Sequence, residues 1–188
     1  MFNKSLAIAA LLFATPVLAE GDGPGPNLII DVTGAANGQI VIDLAADAAP
    51  LHVAQIVALA KSGAYDSVVF HRVIDGFMAQ TGDVQYGKKG GDTSMAGMGG
   101  SEMADIPAEF LALPFERGIV GMARSQDPNS ANSQFFIMFA PGDFLNGQYT
   151  VVGKVIAGME VVDAIKRGEG QNGEVSEPDV MTKVTVQE

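Results

Sequence analysis

Few side chains in this chain can do chemistry, and that narrows the reactions open to it. There is no cysteine, so disulfides, thiolate metal sites and cysteine nucleophiles are excluded together. His52 and His71 are the only imidazoles, too few for a multi-histidine metal cage. An arginine in apolar surroundings stands out instead. Arg72 lies in the run FHRVIDGFMAQTGD at 70–83, with Phe77 and Met78 five and six residues on. If 70–72 and 77–80 are neighbouring strands, Arg72 and Gln80 meet over an apolar patch. Arginine stays charged at any working pH, and its planar fork can hold a carbonyl or stabilise developing charge. An arginine pointing to solvent above a core of aromatics fits the run at least as well, and Phe135-Phe136 taken alone reads as simple core. Composition does not decide between these.

The elements that must carry these residues are short. A β-rich run at 28–33 is followed by Asn37-Gly38, a hairpin signal, and by 39–44, with Ile40, Ile42 and Leu44 on one face. Pro50 opens a helix with the apolar stripe Val53, Ile56, Val57 and Ala60, and Gly63 ends it. Two strand-like runs, 68–72 and 77–81, flank an Asp75-Gly76 turn. The glycine-rich stretch 86–100 reads as a surface loop; it lacks the Gly-Lys-Ser/Thr ending of a phosphate cradle. Further strands are expected at 118–123, 134–139, 151–156 and 180–186. A second helix is expected at 158–167, closed by Gly168. About eight strands and two helices predict a mainly β fold, a closed eight-stranded antiparallel β-barrel capped by two α-helices.

Of the 188 residues, 47% are hydrophobic and 18% charged, a globular composition. A formal charge of −11 argues against nucleic acid and anionic lipid as partners. The first residues have the marks of a secretory leader: Lys4, an apolar stretch from Leu6 to Phe13, and Val17-Leu18-Ala19 before a cleavage point. A signal peptide at 1–19, a flexible Gly/Pro lead-in at 20–27 and one folded domain at 28–188 are expected. No second apolar run reaches spanning length. The expected product is an exported, periplasmic, soluble monomer.

Three ordered segments carry a resemblance. They are FHRVIDGFMAQTGD at 70–83, GMAR at 121–124 with NSQFFI at 132–137, and FLNGQYTVVGKV at 144–155. In order and spacing they resemble the cyclophilin family of prolyl isomerases, over 28–188. The resemblance implies an eight-stranded barrel with two capping helices, no cofactor or metal, and Pro-containing polypeptides as partners. It implies rotation of X–Pro peptide bonds in exported chains, assisting their folding, with a non-catalytic Pro-peptide module or a holdase chaperone as the alternative. Arg72 takes the family's catalytic place, and Gln80 would bind a substrate carbonyl. Phe77, Met78, Phe135 and Leu145 would form the proline pocket, with Phe144 at its edge, Tyr149 on its rim and the backbone at Arg124 beside the rotating bond. Phe144 stands where many members have Trp, Tyr149 where many have His, Arg124 for a frequent Asn, and Met98 for a Thr. Asp75 and Thr81 replace a Pro and a Gly near the turn. These departures bear on ligand preference and cyclosporin sensitivity.

Overall fold

Alternating apolar residues make the first hairpin. The computed structural model describes residues 22–188. In it β1 (Asn27–Thr33) pairs antiparallel with β2 (Gly38–Leu44), so that Ile30 faces Ile40 and Leu28 faces Ile42, all inward. Residues 34–37 turn the chain, and Asn37 Nδ2 donates to Gly34 O at 2.8 Å. Residues 22–26 run along β2 rather than hanging free: Gly23 N donates to Asp43 Oδ2 (3.0 Å) and Leu44 N to Pro26 O (3.1 Å). The leader expected at 1–19, with residues 20 and 21, lies outside the described residues. No described helix is long and apolar enough to cross a membrane.

Helix α1 (Pro50–Lys61) starts with proline at its first position, where the missing N–H costs nothing, and buries Val53, Ile56, Leu59 and Ala60. The sheet continues with β3 (Val68–Val69), β4 (Arg72–Ile74), β5 (Met78–Thr81), β6 (Ile119–Met122), β7 (Phe135–Met138), β8 (Val151–Ala157) and, after helix α2 (Met159–Ala164), β9 (Val180–Gln187). All pairings are antiparallel, in the order β3-β9-β1-β2-β8-β6-β7-β5-β4.

Three expectations of the fold are corrected. There are nine strands, because the run at 68–72 divides. Phe70 and His71 leave the ladder: Phe70 is fully buried, its N–H donates to Asp179 O (2.9 Å), and Val69 N donates to Gly87 O (2.8 Å). The barrel is also not closed. The sheet curls into a half-barrel whose edge strands β3 and β4 are joined through Phe70-His71 but are not paired with each other. The β4 edge is covered by 168–175, with Val73 N donating to Gly173 O (2.7 Å) and Val175 N to His71 O (3.2 Å). Helix α2 is shorter than 158–167, since Lys166 N is captured by the buried carboxylate of Asp179 at 2.6 Å and the chain leaves helical angles at Ile165.

The curl separates two apolar clusters. The large one fills the concave side with Ile30, Ile42, Phe70, Phe135 and Ile137 among others. The small one, Met78, Phe115, Phe136, Met138, Leu145 and Val151, lies on the other face of the same strands.

Candidate active site

Strand parity and register assemble the groove. In β5, Ala79 and Thr81 point to the core, so Met78 and Gln80 point outward. The Asp75-Gly76 turn, with Gly76 at φ +68°, sets the register that places Arg72 opposite Gln80 and Ile74 opposite Met78. The next strand places Phe136 opposite Gln80, and β6 places Gly121 opposite Phe136. One row thus crosses four strands: Arg72, Gln80, Phe136, Gly121. Glycine is required at its end, since a Cβ at Gly121 would lie 2.5 Å from the Phe136 ring and 2.6 Å from Phe115. That space lets Phe115 stack on Phe136 at 5.8 Å.

The row floors a depression of about 410 Å³, lined by Phe77, Met78, Phe136, Leu145 and Tyr149 on its apolar side and Arg72 and Gln80 on its polar side. Leu145 comes from a 3-10 turn (Asp143–Leu145) whose Phe144 is 65% exposed and leans on Phe77 at 5.4 Å. The Tyr149 ring meets Phe136 edge-on at 5.9 Å. Of the residues proposed from sequence, Arg72, Gln80, Phe77, Met78, Arg124, Phe144, Leu145 and Tyr149 all line this depression. Phe135 does not. It points into the core against Tyr65 (5.7 Å, 88°), and its neighbour Phe136 takes the place assigned to it. The two phenylalanines have opposite parity, so only one can face the groove.

A chain of hydrogen bonds fixes the polar side. Arg72 Nε donates to Asn172 O (3.0 Å) and its Nη1 to Gln80 Oε1 (3.1 Å). Gln80 Nε2 donates to Gln134 Oε1 (2.9 Å). Gln134 Nε2 donates to Gly97 O (3.0 Å) and Gly99 O (2.8 Å). That glycine-rich loop is in turn gathered by Asp83, which is fully buried. Its Oδ1 accepts from Gln85 N and Tyr86 N, and its Oδ2 from Gly97 N and Gly99 N, at 2.7–3.0 Å. The loop is therefore a built wall rather than a loose flap. Gln134 and Asp83 were not singled out from sequence. The signal for Gln134 was its parity, since it shares a strand face with Phe136.

Burial pulls the Arg72 guanidinium below its ordinary value, opposed by Tyr149, and an arginine so placed remains charged. Burial also pushes the His71 imidazole down to about 4, against the attraction of Asp83, so it is neutral at neutral pH. The groove thus joins a half-buried permanent cation, a fixed amide and an apolar pocket. It can seat a small apolar ring and place donors beside a neighbouring amide, with no titrating group needed.

The comparisons agree with this geometry. The profile described as cyclophilin type peptidyl-prolyl cis-trans isomerase/CLD matches residues 29–186. A probable peptidyl-prolyl cis-trans isomerase of Brucella suis is 54% identical over 184 residues, covering 96% of this chain and 92% of that one. A cyclophilin-type isomerase of Cryptosporidium parvum, crystallised in the presence of the dipeptide Ala-Pro, superposes with a TM-score of 0.73 at 26% identity, covering 86% of this chain and 99% of that one. A cyclophilin of Hirschia baltica gives 0.72 at 26% identity, covering 87% and 74%.

Proposed function

The chain belongs to the cyclophilin-type peptidyl-prolyl cis-trans isomerases, and on that premise we propose that this groove turns X–Pro bonds in exported polypeptides and so assists their folding. Rotation makes and breaks no covalent bond. The barrier, about 18–20 kcal/mol for an ordinary amide, is lost resonance, and an uncatalysed X–Pro bond turns in roughly 10–100 s. Acceleration requires that the twisted amide be held better than either planar form.

The proline ring sits among Phe77, Met78, Phe136 and Leu145. As the amide twists, its lone pair returns to the proline nitrogen. Arg72, above the same pocket, donates toward that nitrogen and stabilises the twisted state selectively. Gln80 binds the neighbouring substrate carbonyl with whatever donor capacity it frees from Gln134. The observation that carries the reading is the 3.1 Å bond from Arg72 Nη1 to Gln80 Oε1 at the rim of an apolar pocket. It orients the guanidinium before substrate arrives, so little reorganisation is left for the reaction itself.

The test is cis-to-trans isomerisation of an Ala-Pro peptide by the wild type and by a folded Arg72→Ala variant. Acceleration by the wild type and its loss in the variant support the mechanism. Binding without acceleration reduces the groove to a recognition site. Export is part of the same proposal: the leader 1–19 is removed and the product is a periplasmic monomer. Subcellular fractionation with the mature N-terminal mass checks it. A holdase role finds a basis in exposed Met98 (76%) and Phe144 (65%), and protection of a proline-free unfolded client from aggregation tests it.

A further inference from the structure

The proline pocket has a neighbour, a second depression of about 310 Å³ that shares Gln80, Ala123 and Arg124 with it. Arg124 therefore stands on the saddle between them. Its guanidinium is held, not waving. Nη1 donates to Ser125 O (2.8 Å), Nη2 to Gln148 O (2.9 Å), and the group lies 4.5 Å above the Tyr149 ring.

The charge pattern is the second observation. The chain carries 22 acidic residues against 11 Lys and Arg. Yet among the described residues lining the two depressions there is no carboxylate, and the fixed charges are Arg72 and Arg124, both positive. The nearest acid in sequence, Asp127, does not line either depression and accepts from Asn129 N instead. The walls beyond Arg124 are uncharged, with the hydroxyls of Ser125 and Ser130 paired at 2.7 Å.

Building on the isomerase reading, the geometry points to Arg124 as a specificity-determining residue that selects client segments carrying an aspartate or glutamate within two or three residues of the proline, on the side that crosses the saddle. A segment seated by its proline must pass Arg124 to enter the second depression. A carboxylate there meets a preset cation, while the hydroxyl protons of Ser125 and Ser130 are already spent on Ser130 Oγ and Asp127 O. A lysine there meets two arginines and no acid to offset them. Because the guanidinium is ordered beforehand, little side-chain entropy is lost on pairing. Because it is only half-buried, its effect is modest and screened by salt.

The test uses Ala-Pro peptides with Glu, Gln or Lys at each of the three positions on either side, against the full mature protein. Expected at low salt is a kcat/KM for Glu about two- to fivefold above Gln on one side of the proline, with Lys below Gln. The order contracts toward one near 1 M salt. In Arg124→Gln the Glu-to-Lys ratio collapses, and in Arg124→Lys the order survives, whatever the absolute rates become. Equal rates for the three peptides in the wild type, or an unchanged ratio in Arg124→Gln, overturn the proposal. Failure to accelerate even the Gln peptide overturns the isomerase reading instead. The same ratios are then read from dissociation constants, where equality again overturns the role of Arg124.

Discussion

The two faces of β5 and β7 are made of the same strands and behave as different materials. Inward, Ala79, Phe135 and Ile137 are almost wholly buried in the large cluster. Outward, Met78, Gln80 and Phe136 line the depression, with Met138 buried beside them in the small cluster. The inner face is held chiefly by apolar packing, where lost volume is costly. The outer face is held by direction: a row set by register, a chain of amides from Arg72 to Gly99, and a glycine that makes room for a ring. Moving one residue along β7 exchanges a stability residue for a site residue.

That contrast can be broken by substitution, and the largest effect is expected on the inner face. Phe135→Ala should cost about 3–5 kcal/mol of unfolding free energy in denaturant titration, with the remaining folded fraction keeping near-normal activity. Phe136→Ala should reverse this, losing more kcat/KM than stability. Next, Arg72→Ala should lower kcat/KM by about 10²–10³-fold with little change in Tm.

The third test uses pH. His71 titrates near 6.5 when unfolded and about 4 in the fold, so the unfolded chain binds the extra proton and stability falls as pH drops from 6.5 toward 4. A shift of that size corresponds to about 3 kcal/mol. A His71→Asn variant should flatten the slope in that window. The wild-type rate should stay level from pH 6 to 9, because Arg72 keeps its charge and Gln80 does not titrate. Smaller again, Gln134→Ala should cut kcat/KM about three- to tenfold by releasing Gln80 and the glycine loop. Phe144→Ala, removing an exposed ring that leans on Phe77, should raise KM by about twofold.

Part of the groove was legible in the sequence: local rules allowed Arg72 and Gln80 to meet, and the cyclophilin resemblance supplied the pocket residues. The Asp75-Gly76 turn fixes the register, the register sets Arg72 opposite Gln80, and alternation sends Met78 outward with them. What could not be read depends on distant partners. The run at 68–72 looks continuous, and only Gly87 and Asp179 reveal why it breaks at Phe70. The open edge between β3 and β4 follows from that break, so a count of strands could not distinguish a closed barrel from a curled sheet. In Phe135-Phe136 two equal side chains sit side by side, and nothing local says which faces inward. The amide of Gln134 was the available clue. Asp83 shows no periodicity, since its four donors come from two separate stretches of loop.

The position of β1 has a kinetic consequence. It lies between β2 and β9, and the register joins Asn27 to Gln187. The sheet therefore cannot assemble in order of synthesis: until the final strand exists, β1 has one bare edge and the curl has no β9 to bridge to β3. Such distant pairing is slow to find, on the order of milliseconds to seconds for domains rich in it. A nascent copy that still lacks β9 is thus a half-finished sheet exposing backbone donors and acceptors. By this reasoning the chain is, for that interval, a folding client itself.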